Sequence, residues 1–343
     1  MFDLEKITRK NIEQLTAYSS ARDEFTGTSG VFLDANENPF GMMNRYPDPY
    51  QKELKNELFK ANGMNPKNTF VGNGSDEVID ILFRIFCNPS VDKALTFTPT
   101  YGMYEVCAGI NDVELINVQL NDEFDIDFEA IEDLISDPSL KLILICSPNN
   151  PTGNCPNTEI VEKIIKNFQG IVFIDEAYIN FSTNKSFTHL IDQYPNLVIG
   201  QTMSKAWGLA AARIGFAFGN SKIIDLFNKI KPPYNISYLN QSAAIETIKR
   251  KEDFERNKKQ ILENKEKLFN TLIKLDIVEK IYPSETNFFL IEFQNSEQVF
   301  ESLLEKKIIV RNRNKIVKNC IRITVGSEQE NQLLIEALKS ISI

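Results

Sequence analysis

Residues 141–178 read KLILICSPNNPTGNCPNTEIVEKIIKNFQGIVFIDEAY, and this stretch decides the fold. Two short apolar runs, Lys141–Cys146 and Ile171–Ile174, flank an amphipathic helical pattern, and each run breaks off into Pro, Asn or Asp. A strand buried on both faces reads as a continuous apolar run, so this alternation predicts a mostly parallel sheet with helices on both sides. Ala94–Thr98, Leu197–Gly200 and Gly215–Phe218 have the same character on either side of it. Ser75 is expected to N-cap a helix: Asp76 and Glu77 suit the positive end of the dipole, and Val78, Ile79, Leu82, Phe83 and Phe86 recur at helical spacing. Lys231-Pro232-Pro233 closes a later helix.

From about Leu239 the character changes. Residues 249–275 form a long charged helical region whose Ile261, Leu262, Leu268 and Leu272 keep one apolar stripe. After it come NFFLIEF, a helix from Ser296 to Lys307, IIVRN, IRITVG and a last helix opened by a Ser327/Glu330 capping box. The expected fold is α/β: a large domain over residues 30–240, whose central, mostly parallel sheet is wrapped by helices, with a smaller α+β domain. That smaller domain is expected to comprise residues 1–29 and 241–343 and to include an N-terminal arm.

Composition removes several classes of function. The 343 residues hold 38 Lys or Arg against 47 Asp or Glu, a net charge of −9, which argues against a general nucleic-acid or anionic-membrane binder. Any anionic ligand therefore needs a local site. The opening MFDLEKITRKNIEQL lacks an apolar core of signal-peptide length, and no apolar run approaches the ~18 residues of a spanning helix, so a cytoplasmic chain is expected. Five cysteines (Cys87, Cys107, Cys146, Cys155, Cys320) form no CxxC pair and read as reduced thiols. A single histidine, His189, argues against a His-based zinc site or a Ser-His-Asp triad, and no metal is expected.

Three strand ends carry the strongest constellation: Ser147-Pro-Asn-Asn-Pro-Thr-Gly153, Asp175-Glu-Ala-Tyr178, and Thr202-Met-Ser-Lys205 followed by Arg213. Taken singly, NNPTG is a good turn, DEA a helix start and SK a common exposed dipeptide. Their order is more informative, because Asn, Asp, Tyr and Lys each follow an apolar strand at the edge where open α/β sheets place ligands.

Through these motifs the chain resembles the fold-type-I pyridoxal 5'-phosphate aminotransferases, and within them it looks most like the histidinol-phosphate aminotransferase branch. The resemblance runs through YSSARDE (18–24), DANENP (34–39), RYPDP (45–49), GNGSDEVI (72–79), PTYGMYEV (99–106), CSPNNPTGN (146–154), DEAY (175–178), TMSKAWGLAAARIG (202–215) and RITVG (322–326). It implies pyridoxal 5'-phosphate as cofactor. Lys205 would supply the amine for its aldehyde and then move a proton at the substrate Cα. Asp175 would keep the pyridine nitrogen protonated, while Asn150 and Tyr178 would hydrogen-bond the ring hydroxyl. The phosphate would sit on Gly74, Ser75 and Asp76 at a helix N-terminus, with Thr202, Ser204 and Arg213 closing the cradle. Tyr101 would stack on the ring, or else it is a packed turn residue.

An arginine inside the apolar strand IRITV is costly unless it faces an anion. Arg322 and Arg311 are therefore the expected substrate-binding pair, with Arg313 a competitor of Arg311. Tyr18 and Asn36 either line the substrate pocket or serve as packing and capping residues. Tyr46 would reach the cofactor phosphate of the other subunit of a homodimer, or is simply held in the RYPDP turn. The implied reaction converts histidinol phosphate and 2-oxoglutarate to imidazole-acetol phosphate and glutamate, in histidine biosynthesis. An aromatic amino-acid aminotransferase or a phosphothreonine decarboxylase of the same branch is the alternative.

Overall fold

A computed structural model describes residues 2–19 and 30–341 of the chain. Seven strands form one sheet: β1 (Thr69–Asn73), β2 (Lys93–Thr98), β3 (Glu114–Gln119), β4 (Leu140–Cys146), β5 (Ile171–Asp175), β6 (Leu197–Thr202) and β7 (Ile214–Gly219). Their order is β1-β7-β6-β5-β4-β2-β3, parallel throughout except that β7 runs antiparallel to both neighbours. Because of this single reversal, the carboxyl ends of β1, β2, β4, β5 and β6 and the amino end of β7 all lie along one edge of the sheet.

Side chains alternate across each strand, and both faces are buried. Ile143, Ile145, Val172 and Ile174 join one core, whereas Leu142, Leu144, Ile171 and Phe173 join the core on the opposite face. The apolar-run pattern does not predict β1 or β3. Thr69–Asn73 has a glycine and only two apolar residues, and β3 is a half-exposed edge strand. The helix Ser75–Phe86 begins one residue earlier than expected, with Gly74 at the N-cap and Ser75 as its first helical residue.

A second sheet, all antiparallel, has the order β10-β11-β9-β8, with β8 (Val278–Ile281), β9 (Phe288–Phe293), β10 (Arg311–Asn312) and β11 (Cys320–Thr324). One of its faces, carrying Phe289, Ile291, Phe293, Ile321 and Ile323, packs on helices Lys251–Leu272, Ser296–Glu305 and Glu328–Lys339. The opposite face carries Phe288 and Arg322, and Phe288 belongs to a small cluster with Tyr178, Phe181, Ala206 and Phe254. The capping box at Ser327/Glu330 forms as expected. The long charged region forms one helix, Lys251–Leu272, set off at Arg250 from a preceding helix, Tyr238–Lys249.

The described part of residues 1–29 differs from expectation. Ile12 is buried in the core beneath the helix Ser75–Phe86, and the Arg9 N–H donates to the Ile85 carbonyl at 3.0 Å. Phe2–Gln14 therefore sits with the seven-stranded sheet and not with the smaller one, because its apolar residues are matched to that surface. Residues 20–29, including most of YSSARDE, lie outside the described residues. No described helix is long and apolar enough to cross a membrane, and no described cluster of His, Cys, Asp and Glu could hold a metal ion.

Candidate active site

The shared strand edge gathers one cleft. Ser75, Asp76, Tyr101, Asn150, Asp175, Tyr178, Thr202, Ser204, Lys205 and Arg213 line it, together with Cys146 and Ala177. Asp175, at the end of β5, is 2% exposed. Burial pushes its carboxyl up to about 6, a rise opposed by the Tyr104 hydroxyl and the Ala177 N–H. Tyr104 donates to Oδ2 at 3.0 Å and Ala177 to Oδ1 at 3.1 Å, so the carboxylate is held in one orientation. The Lys205 amine is pushed down by burial and by Arg322, against the pull of Asp175, which favours the neutral nucleophilic form.

The residues expected to form an anion cradle come together where β1 and β7 meet. Gly74 adopts φ +78°, and its N–H donates to the Arg213 carbonyl at 2.9 Å. A Cβ on Gly74 would lie 2.3 Å from Arg213 Nη2, and one on Gly215 would lie 2.3 Å from the Ser75 nitrogen. Only glycines permit this approach of guanidinium and helix N-terminus. Arg213 pairs with Asp76 at 3.1 Å and reaches Ser204 Oγ at 3.4 Å, while Thr202 Oγ1 donates to Ser204 Oγ at 3.0 Å. Tyr101 donates to Asp76 Oδ1 at 3.0 Å and sets its ring edge-on to Tyr104. A buried carboxylate, an amine on the cleft lining and a glycine-backed cradle of N–H, hydroxyl and guanidinium donors are a donor set that fits pyridoxal 5'-phosphate.

The second sheet supplies the facing wall. Arg322 Nη1 donates to Asn150 Oδ1, its Cζ lies 5.2 Å from the Phe288 ring centre, and its buried Nε has no hydrogen-bond partner. Phe288 in turn packs edge-on against Tyr178 at 5.2 Å. Arg311 is directly opposite Arg322 in the β10–β11 pair, but it is exposed. Arg313, two residues along on the same face, is half-buried, and its Nε is buried without a partner. Burial, helped by Arg322 and Arg311, pushes its guanidinium down to about 10.

Tyr18, Asn36 and Tyr46 lie away from this cleft within the single chain. Tyr18 is 71% exposed. Asn36 and Tyr46 line a separate groove, where the Tyr46 ring stacks on Tyr234 at 4.4 Å and its N–H donates to Glu37 Oε1 at 2.6 Å. Sequence reasoning missed Tyr104 and Glu176. Tyr104 lies three residues after Tyr101, a spacing that puts both on one helical face, but it reads as an ordinary core aromatic. Glu176 is fully buried and accepts from Ser186 Oγ at 2.6 Å, the Phe187 N–H at 2.6 Å and Gln201 Nε2 at 2.8 Å.

The family model for aminotransferase class I and II matches residues 18–338. A histidinol-phosphate aminotransferase of Cytophaga hutchinsonii is 48% identical over 346 residues, covering 99% of this chain and 99% of its own. One of Bacteroides fragilis (strain YCH46) is also 48% identical, with the same coverage of each chain. Among solved structures, the histidinol-phosphate aminotransferase from Clostridium acetobutylicum superposes with a TM-score of 0.78 at 25% identity, over 89% of this chain and 97% of that one.

Proposed function

The chain belongs to the class I and II aminotransferase family, and from that premise we infer that it moves an amino group between histidinol phosphate and 2-oxoglutarate. It is a pyridoxal-phosphate-dependent transaminase whose products are imidazole-acetol phosphate and glutamate. One observation carries the substrate side: Arg322, inside an apolar strand, reaches Asn150 in the lining of the cleft, and its charge acts on the Lys205 amine. An arginine fork in such a place is stabilised by an anion, and it can take a carboxylate or a phosphate.

When bound, pyridoxal phosphate supplies an aldehyde and an electron-accepting ring. Lys205 would provide the amine for that aldehyde and would hold and move the proton at the substrate Cα. Asp175, oriented by Tyr104, would keep the ring nitrogen protonated. Asn150 and Tyr178 hold the ring hydroxyl; with its carbonyl engaged by Arg322, the Asn150 amide has its NH2 left to donate. Gly74, Ser75, Asp76, Thr202, Ser204 and Arg213 would hold the phosphate, and Tyr101 would pack on the ring. Arg322, with Arg313 or Arg311 beside it, takes the distal anion of either substrate.

We assign residues 30–240 to the cofactor-binding domain and 241–343 to the substrate-side domain. The working unit in this reading is a homodimer. Val31, Leu33, Phe40 and Met42 are each more than 80% exposed, an apolar surface that a second copy would cover, and Tyr46 beside them lies outside its own chain's cleft. There Tyr46, Tyr18 and Asn36 would serve the neighbouring site. Mixing inactive Tyr46→Phe with inactive Lys205→Ala subunits is expected to restore activity, because one site of the heterodimer keeps both residues; no recovery would place the whole site in one chain.

The substrate is tested by titrating the holoenzyme with histidinol phosphate, phosphothreonine, phenylalanine and glutamate while following the cofactor's absorbance. Histidinol phosphate and glutamate are expected to convert it to the amine form. Release of CO2 from phosphothreonine, with no response to histidinol phosphate, would overturn the assignment.

A further inference from the structure

The loop between β8 and β9 carries a carboxylate that the transamination chemistry does not use. Glu285 Oε2 accepts from Ser182 Oγ at 3.0 Å, from the Thr183 N–H at 2.8 Å and from Thr183 Oγ1 at 3.3 Å. Its own N–H donates to the Gly153 carbonyl at 2.7 Å. Ser182 and Thr183 lie just beyond Tyr178 on one loop, and Gly153 ends the turn that presents Asn150. One residue from the substrate-side sheet thus clasps both loops that carry the ring-hydroxyl ligands.

Its neighbours make the clasp stiff. Ser284 packs so closely that a Cβ on Gly153 would lie 3.0 Å from its Cβ and Oγ, and Ser284 Oγ donates to the Phe288 carbonyl at 2.6 Å. Lys265 Nζ donates to the Ser284 carbonyl at 2.5 Å. Phe288 touches Tyr178, and Arg322, across the same seam, bonds Asn150. Any slip of the substrate-side sheet at residue 285 is therefore transmitted to Asn150 and Tyr178 together.

We propose that Glu285 is a positioning residue for the transamination: by tying loops 150–153 and 178–183 to the sheet that bears Arg322, it keeps the cofactor and substrate walls in one register. The inference rests on the ring-hydroxyl roles proposed for Asn150 and Tyr178. Its test compares wild-type holoenzyme with Glu285→Ala and Glu285→Gln, the amide keeping an acceptor oxygen. Amide hydrogen exchange at Thr183 and residue 285 is expected to speed up about tenfold in Glu285→Ala. The pH midpoint of the bound cofactor's absorbance should rise by about half a unit as the ring-hydroxyl donors loosen. KM for glutamate should rise about tenfold with a smaller change in kcat, and Glu285→Gln should lie nearer wild type.

Faster exchange with an unmoved midpoint and KM would reduce Glu285 to structural glue and overturn the proposal, as would unchanged exchange. If Glu285→Ala does not fold, the Ser182→Ala/Thr183→Val pair removes two donors from the other side and must move the same three readouts. Tyr178→Phe is the control that separates the clasp from the ring-hydroxyl assignment beneath it. If it leaves the midpoint unmoved, the ring-hydroxyl assignment fails; if it moves the midpoint and Glu285→Ala does not, the clasp fails.

Discussion

On the cleft wall built by the seven-stranded sheet, Asp175 already has Tyr104 and Ala177, and Arg213 already has Asp76 and Ser204. On the wall built by the four-stranded sheet, Arg322 and Arg313 each keep a buried Nε with no partner. The first wall is finished before any ligand arrives, so it costs little to reorganise around a cofactor that stays. The second holds its hydrogen-bonding capacity in reserve for molecules that come and go. A buried unsatisfied donor costs about 1–3 kcal/mol, and an arriving anion recovers that cost as binding energy.

The sharpest break in this contrast is Lys205→Ala, which is expected to abolish transamination while leaving cofactor bound non-covalently. Absorbance of the denatured protein checks it: a cofactor band that remains covalently attached would sink the assignment of Lys205. Next, Asp175→Asn should lower kcat by about a thousandfold with little change in KM, because a neutral amide no longer favours the protonated ring. Steady-state activity within about threefold of wild type would remove Asp175 from that role.

The substrate wall should respond differently. Arg322→Lys keeps the charge and loses the planar fork, so kcat/KM is expected to fall by roughly 30- to 1,000-fold (~2 to 4 kcal/mol) for histidinol phosphate and glutamate alike, with the cofactor spectrum unchanged. Arg313→Gln should raise KM for the phosphate substrate about tenfold and for glutamate less, since a dianion gains more from a second cation. The same change at exposed Arg311 should do less; the reverse ranking would return the role to Arg311.

The smallest effect concerns stability. Burial pushes Glu176 up to about 7, against the opposing bonds from Ser186, Gln201 and Phe187. Its folded value thus lies above the ordinary one near 4.5, so the native state holds a proton that the unfolded chain has released. Its contribution to stability is fullest below about pH 4.5, declines as pH rises to 7 and is flat above. Glu176→Gln should remove that slope, a difference of about 3 kcal/mol between the ends of the window, measurable by denaturant unfolding of both proteins across pH.

The strands legible in the sequence are those covered on both faces, because burial there demands an unbroken apolar run. β1 and β3 escape since one is cut short by glycine and asparagine and the other has solvent on part of its surface. The cofactor wall is readable for a related reason: a polar residue such as Asp175 or Lys205 just after an apolar strand has few places to point. Arg311 and Arg313 cannot be ranked from sequence, because a period of two puts them on the same face, and only the packing at the sheet edge buries one and exposes the other. Glu285 is invisible there, because a charged loop residue gains its meaning from loops more than a hundred positions away.

The reversed strand β7 also sets a timetable for biosynthesis. β1 stands at the sheet's edge and pairs with β7 alone, so a nascent chain carries Thr69–Asn73 unpartnered until residues 214–219 have left the ribosome. Gly74 and Arg213 meet only through that pairing. A chain halted before β7 would lack the pairing that sets Gly74 beside Arg213. Until that pairing forms, β1 is an unpaired edge, the kind of segment that other chains can pair with.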